Sequence, residues 1–582
     1  MEIALIGVGA ALCIAAVTAF ASRLGVAAPL LLVVVGVAVS LLPGVPTVDI
    51  DPEWVLIGVL PPLLYSASVS MPAMDFRRDF RAIGGLSVVL VVVSSVVLGA
   101  FLAEVVPGID LATGIALGAI ISPTDAVATT IVKKLGVSPR VVTVLQGESL
   151  LNDATALVLL RSAVAAGGVS VSLWGVAWDF VVSVAIAAAI GLAVGRLNLM
   201  VRARISDSAV NTAISFAVPF VAYLPAEHLD ASGLVAAVAA GLYTGQAAPR
   251  YLSPRHRLSE EQNWRTIELL LEGGVFLLMG LELDGVVSGV REEHGDLWSA
   301  LWIGVVAAVL VVLIRAAYVA PLVYALRRRA DRSLASRDKL TTMQTQLDDG
   351  TLPVRSRPQR QPRNEHEAER LEQHIERRTR MFSTRIRRTL ADVDYLAGAP
   401  LGWREGTVLV WAGMRGVVTL AAAQTLPEDT PQRELLILVA FVVAAGTLVV
   451  QGGTLPVLVS RLGLASPPDD GPDPERAELL TELSAAARTA LEDPDLRRPD
   501  GTAYDDAVLE RTRQAAMMPA SEEDHAVGRE LRRQATELRL QLIAAMRESL
   551  LEARSDGTYS SETLEDMLRI LDADQITTEL RA

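Results

Sequence analysis

Three carboxylates stand inside apolar sequence in the stretch GAIISPTDAVATTIVKKLGVSPRVVTVLQGESLLNDATALVLLR, residues 118–161. Asp125 lies in a first apolar segment, Glu148 and Asp153 in a second, and a short basic connector from Lys133 to Arg140 joins them. In lipid such groups are costly, so they face a polar interior and mark an ion or proton path. Pro123 lacks an N–H and clashes with the preceding turn, which frees backbone carbonyls beside Asp125. A broken membrane helix with a carboxylate at the break is the build of a transporter cation site. Glu148 and Asn152 lie four apart on one helical face, with Asp153 next to them. Asp125, Asn152 and Asp153 would together offer one cation several oxygen ligands near mid-membrane.

The pair SPTDAVA and GESLLNDATALV resembles the signature of the monovalent cation:proton antiporter-1 family, which includes bacterial Na⁺/H⁺ antiporters and the animal sodium/proton exchangers. The resemblance covers roughly residues 1–460. It implies an all-α polytopic fold with inverted repeats and two crossing broken helices.

Composition agrees with a membrane protein that carries soluble appendages. The 582 residues are 51% hydrophobic and only 20% charged, and the mean hydropathy is positive. The formal charge of −14 is unevenly placed: residues 463–582 hold 27 acidic against 14 basic residues, and residues 327–400 hold 17 basic against 11 acidic. The single cysteine, Cys13, excludes an intrachain disulfide. The sequence shows no phosphate-binding loop, dinucleotide fingerprint or His/Cys metal cluster, so we expect no cofactor and no nucleic-acid partner.

Thirteen spans are predicted, at about 2–22, 26–43, 53–71, 83–106, 111–133, 139–166, 174–197, 209–224, 229–247, 264–283, 298–326, 404–426 and 434–461. Met1-Glu2 before the first apolar run lacks the positive charge of a secretory signal, so this span is read as retained. Connector charge orients the set. Arg77, Arg78 and Arg81, then Lys133, Lys134 and Arg140, then Arg250, Arg255, Arg257 and Arg265 fall on one side. Glu104 and Asp110, Glu227 and Asp230, and Glu292, Glu293 and Asp296 fall on the other. The expected layout is a membrane domain at 1–326 and 401–462, a basic insert at 327–400 and an acidic helical tail at 463–582. The N-terminus would lie outside a bacterial inner membrane, and the insert and tail in the cytoplasm.

Arg315 in VVLIRAAYVA sits deep in an apolar span, where an unpaired guanidinium is costly. Gly413-Met414-Arg415-Gly416 marks a second interrupted span, with Arg415 near freed carbonyls. Glu268 and Glu272, early in the span placed at 264–283, read as acidic residues at the positive end of a helix. Glu227 reads as a solvated loop end or, by the resemblance, as part of an outer funnel. After Pro61-Pro62 the family often has an acidic residue; here Tyr65-Ser66-Ala67-Ser68 stands instead, leaving only serine hydroxyls. NEHEAERLEQHIERRTRMFSTRIRRTL reads as a charged helix with Leu371, Ile375 and Met381 on one stripe. ELRRQATELRLQLIAAMRESLLEAR is amphipathic through Leu531, Leu538, Leu540, Ile543 and Leu550.

The resemblance implies secondary active antiport of a monovalent cation, Na⁺ foremost, against protons. Asp153 would be the exchanging carboxylate, with Asp125, Thr124, Ser149 and Asn152 around it. Glu148 and Arg315 would form a structural ion pair, and Arg415 would answer the helix break. Asn152 before Asp153 goes, in this family, with electroneutral exchange, and the family is dimeric. K⁺/H⁺ exchange, a cation sensor signalling through the tail, and an intramembrane aspartyl protease are the competing readings. The tail's ligand is not legible.

Overall fold

The computed structural model describes residues 2–24, 26–42, 52–166, 173–293, 297–348, 365–465, 473–515 and 529–581, and among them it is helical without strands. The first helices are α1 (Glu2–Leu24), α2 (Ala28–Ser40), α3 (Trp54–Val69) and α4 (Ala73–Val105). Next come α5 (Leu111–Ile121), α6 (Val127–Lys134), α7 (Pro139–Ala166), α8 (Leu173–Arg202) and α9 (Ser208–His228). They are followed by α10 (Gly233–Tyr251), α11 (Pro254–Leu281), α12 (Leu283–Glu293), α13 (Leu297–Leu334), α14 (Arg337–Asp348) and α15 (Glu365–Gly398). The chain ends with α16 (Trp403–Trp411), α17 (Val417–Gln424), α18 (Arg433–Arg461), α19 (Pro474–Leu491), α20 (Asp506–Ala515), α21 (Arg529–Asp556) and α22 (Ser561–Leu580).

The chain divides into two compact units, Met1–Arg327 with Leu401–Pro468, and Arg328–Pro400 with Asp469–Ala582. In the first unit, among the described residues, five helices are each long and apolar enough to cross a membrane: Ala73–Val105, Trp178–Arg202, Ser208–His228, Leu297–Leu334 and Arg433–Arg461. Helices suit that solvent because every backbone group is satisfied within the segment. Their outward faces carry apolar residues such as Val181, Leu192, Val309 and Leu313. The weakly apolar spans predicted at 209–224 and 229–247 are helices α9 and α10. Asp207 and Ser232 cap them, accepting from the Val210 and Val235 N–H groups.

The first unit sorts into two bundles by packing. In one, α4 packs on α5 and α7, and α17 and α18 pack on α5. In the other, α8 packs on α10, α10 on α3 and α9, and α11 on α2 and α1. We call the first the core and the second the scaffold. The predicted tenth span needs correction: its helix begins at Pro254, well before 264, with Ser253 as cap and proline in the first turn. Glu268 and Glu272 therefore stand about four and five turns into α11, not at its positive end.

The second unit has its own apolar centre, where Leu491, Tyr504, Val508 and Leu538 meet. Helix α21 organises it, packing on α15, α19, α20 and α22. Of the stripe expected on α15, Met381 is exposed, and the side chains of Leu371 and Ile375 lie outside the described residues. Arg498 donates to Glu537 at 2.9 Å. This hydrogen bond holds the Glu537 carboxyl below its ordinary range. Its contribution to stability is therefore present near neutrality and lost as pH falls through the lowered value.

Candidate functional site

Both expected interruptions are real breaks in the helices. Helix α5 stops at Ile121 and α6 starts at Val127; α16 stops at Trp411 and α17 starts at Val417. The two breaks touch. The Asp125 N–H donates to the Met414 carbonyl at 2.8 Å, so each interrupted strand of backbone satisfies a group freed in the other. Arg415 serves the same end from its side chain: it donates to the Ile121 carbonyl at 2.9 Å, to the Ser122 carbonyl at 3.1 Å and to the Gly413 carbonyl. Its own N–H donates to the Thr447 hydroxyl at 2.9 Å. A fixed cation thus sits on the carbonyl end of α5, where the helix dipole favours it.

Asp125 caps the following half-helix, its Oδ1 accepting from the Val127 N–H at 2.8 Å. The approach of the second break is so close that a Cβ on Gly416 would overlap the Asp125 carboxylate, and any larger residue there would displace that side chain.

The sequence-predicted residues on α7 fall where their spacing puts them. Glu148 is buried and makes a bidentate pair with Arg315, Nη2 to Oε2 being 2.7 Å and Nη1 bonding Oε1. Arg315 also donates from Nε to the Leu409 carbonyl at 2.8 Å, on α16. Thr124 links this pair to the ion-facing side. Its hydroxyl donates to Glu148 Oε1 at 3.2 Å and accepts from Asn152 Nδ2 at 2.7 Å. Asn152, Thr124, Glu148, Arg315 and the α16 backbone therefore form one buried chain, and partnered networks of this kind fix a unique geometry. Asn152 Oδ1 and the hydroxyls of Thr129 and Thr419 are buried without a partner.

Asp153, Ser149, Asp125 and Thr124 line a cavity of about 540 Å³ between core and scaffold. The same walls include Glu268 and Glu272 of α11, together with Lys133 and Arg265. Arg415 and Glu148 are absent from those walls and serve as framework. Ser68 of α3 is spent on its own helix, donating to the Leu64 carbonyl at 2.5 Å, and Ser70, which follows the end of α3, lines the cavity.

The cavity reaches the end of the bundle where Ser70, Lys133, Gln146 and Arg265 lie. These belong to the ends that carry the basic connectors. The opposite end of the seam is bridged. Arg161, eight residues or about 12 Å beyond Asp153 along α7, pairs with Glu227 of α9 at 2.9 Å. Glu227 also accepts from the Gly233 N–H at 3.0 Å, so it terminates a helix and is no free loop charge. Glu282, at the C-terminal end of α11, accepts from Gln424 of α17 at 3.0 Å.

Reasoning from sequence missed Glu268, Glu272 and the Arg161–Glu227 pair. Glu268, Glu272, Val275 and Phe276 recur at helical spacing on one face of α11, and that face is the one turned to the cavity. The Ser253-Pro254 start signal would have placed them inside a helix rather than at its beginning.

Comparison with known proteins bears on the same region. The profile of the family "Sodium/hydrogen exchanger, transmembrane" matches residues 8–354 and 382–461. An uncharacterized Na⁺/H⁺ exchanger of Mycobacterium tuberculosis is 30% identical over 479 residues, covering 81% of this chain and 76% of that protein. A Na⁺/H⁺ antiporter of Aphanothece halophytica is 26% identical, covering 80% of this chain and 73% of that protein. In fold, the chain is similar to the sodium proton antiporter MjNhaP1 of Methanocaldococcus jannaschii, with a TM-score of 0.54 at 16% identity, over 80% of this chain and all of that one. The crossed breaks, the carboxylate-lined cavity and the match over most of the helical bundle lead to one conclusion: the chain belongs to the sodium/hydrogen exchanger family.

Proposed function

We propose that the protein exchanges a monovalent cation, Na⁺ foremost, for a proton across a bacterial inner membrane, one for one and without net charge movement. Asp153 is the exchanging group. A carboxylate in a low-dielectric interior is neutralised by either a proton or a cation, and each expels the other. Only the neutral, loaded site crosses the apolar barrier cheaply, so exchange needs no further coupling device. Asp125, Thr124 and Ser149 complete the oxygen environment. Asn152, which cannot titrate, keeps the exchanging unit to a single proton. Glu148 and Arg315 hold the core, and the core moves against a scaffold that pairs with a second copy. Family membership supports the transport class, and the observation that carries the site is the cavity that ends on Asp153 and Asp125.

The test is a purified-protein liposome assay with an internal pH dye, a proton gradient, and Na⁺, Li⁺ or K⁺ added with and without a voltage clamp. Cation-driven proton movement indifferent to voltage supports the reading, and the most effective cation names the substrate. Proton movement that follows voltage overturns electroneutrality. Absence of movement with every cation overturns antiport.

Gly416→Ala should lower the exchange rate by on the order of a hundredfold, because Asp125 must move by more than an ångström to admit the methyl group. Gly453→Ala is the control. It lies in helix α18 with open space at its Cβ, and its rate should match the wild type.

Glu227→Gln should act on sidedness instead. Arg161 is 61% exposed in its pair with Glu227, so the clasp is worth at most about 1 kcal/mol. Its removal would favour the outward-open state by up to roughly fivefold. The outer-side cation KM, measured in right-side-out vesicles, should fall by a similar factor.

A further inference from the structure

We propose that Thr129 and Thr419 are cation ligands of the exchange site, whose hydroxyl oxygens join the shell of the dehydrated ion and set its size preference. The inference rests on the antiport reading above and deepens it, since neither residue belongs to the oxygen set placed around Asp153.

The two threonines occupy equivalent places. Thr129 is the third residue of α6, the half-helix after the first break, and Thr419 is the third residue of α17, the half-helix after the second. Both line the cavity that also holds Asp125, Asp153 and Ser149. The residues are buried, at 9% and 1% exposure, and neither hydroxyl has a hydrogen-bond partner among the described residues.

The helix breaks account for this. A threonine within a helix can donate to the carbonyl four residues back, as Thr155 does to Leu151 at 3.0 Å and Thr407 to Trp403 at 2.8 Å. Four residues before Thr129 stands Asp125, and four before Thr419 stands Arg415, and both lie in the breaks. The backbone there turns more tightly than an α-helix. The Thr129 N–H donates to the Ala126 carbonyl at 3.0 Å and the Thr419 N–H to the Gly416 carbonyl at 3.2 Å, each three residues back. The same interruption that joins Asp125 to Met414 therefore leaves one hydroxyl unserved on each side of the crossing.

A buried hydroxyl without a partner costs free energy, and its retention needs a cause. A cation in the cavity supplies one, because hydroxyl oxygens suit a hard ion. Threonine in a helix has two side-chain rotamers open to it, so the oxygen can turn to the ion without backbone movement. Being neutral, the hydroxyls leave the competition between proton and cation at Asp153 unchanged. The carboxylates attract any monovalent cation, whereas the number and strength of neutral dipoles around the ion separate one size from another. Li⁺, the smallest, is satisfied by the fewest oxygens; Na⁺ needs more and depends more on these two.

The experiment uses the full chain in detergent and in liposomes, with Na⁺ and Li⁺ as probes and choline to hold ionic strength constant. Affinity is read from the rise in unfolding temperature with cation concentration, and KM from the internal pH dye. Thr129→Val and Thr419→Val should each raise the Na⁺ dissociation constant and KM by about fivefold, the weight of one neutral oxygen contact. The Li⁺ values should stay within about twofold. Thr129→Ser and Thr419→Ser, which keep the hydroxyl, should restore the Na⁺ values. Without cation, both valine variants should unfold at or above the wild-type temperature, because each loses a group that had no partner. A lower temperature, or a variant that does not fold, would assign the hydroxyls to structure and overturn the inference. Unchanged Na⁺ affinity, or equal shifts for Na⁺ and Li⁺, would overturn it as well while leaving antiport intact. Wild-type protein that neither binds a cation nor exchanges a proton would instead remove the reading on which it rests.

Discussion

Asp153→Asn should reduce cation-driven proton movement to the level of protein-free liposomes while leaving the protein folded. The two expectations have separate causes. No hydrogen bond or ion pair holds the Asp153 carboxylate among the described residues, and the group lines the cavity beside Ser149 and Asp125. An amide of the same shape therefore fits without breaking any contact. What it removes is the ability to hold a proton at one moment and a cation at the next. Asp125→Asn should be less clean. Asp125 Oδ1 caps α6 through the Val127 N–H, and an asparagine keeps an oxygen acceptor for that bond. Binding would weaken, and the break would keep its geometry. Gel filtration in detergent checks folding for both variants, and the pH-dye assay checks function.

Arg315→Met should destabilise the protein more than any other single change considered for the framework, by about 3–5 kcal/mol. The guanidinium neutralises Glu148 in a bidentate pair in which both side chains are nearly inaccessible, at 2% and 1% exposure. Its loss leaves a buried carboxylate without its counter-charge, and also frees the Leu409 carbonyl on α16. Thr124 would keep its bond to Glu148, and a hydroxyl cannot replace a cation. Replacing both partners, as Glu148→Leu with Arg315→Met, should recover much of the loss, because a buried pair and a packed apolar pair of similar volume are close in stability. The comparison is made by thermal unfolding of detergent-solubilised protein, followed by circular dichroism. A single variant as stable as wild type would show that the pair is not the clasp between α7, α13 and α16.

Much of this site was legible in the sequence because its physics is local. Pro123 removes a backbone donor beside Asp125 and marks the first break, although Pro219 and Pro321 stand inside continuous helices, and Gly413 with Gly416 marks the second. Glu148, Asn152 and Asp153 keep their relations on any helix. Arg315 announced itself as a charge too deep in an apolar run to lack a partner. The partner was named through family resemblance, and the geometry has the two side chains paired.

What escaped reading depended on where a helix begins or on contacts distant in the chain. Hydropathy detects the apolar part of α11 but not its polar first turns, so Glu268 and Glu272 were placed at a helix start that lies at Pro254. Arg161 and Glu227 are 66 residues apart in sequence, and each alone reads as an ordinary charge at a span end. Helix α14, Arg337–Asp348, went unread because its hydrophobic stripe is only Leu340, Met343 and Leu347 in an otherwise polar sequence. In the tail, the amphipathic pattern of α21 was visible, but its packing against α15, α19 and α22 followed from no local signal.

The central claim is that proton and cation compete for one carboxylate. The most direct test is the pH dependence of the cation KM for wild-type protein in liposomes, with the pH equal on both sides and tracer Na⁺ exchange as readout. Competition predicts that the apparent KM rises as pH falls, by up to about tenfold per unit where the site is mainly protonated, while the rate at saturating cation holds constant. A KM that is flat with pH while the maximal rate falls on acidification would contradict the account, since protons would then act somewhere other than at the cation's own ligand.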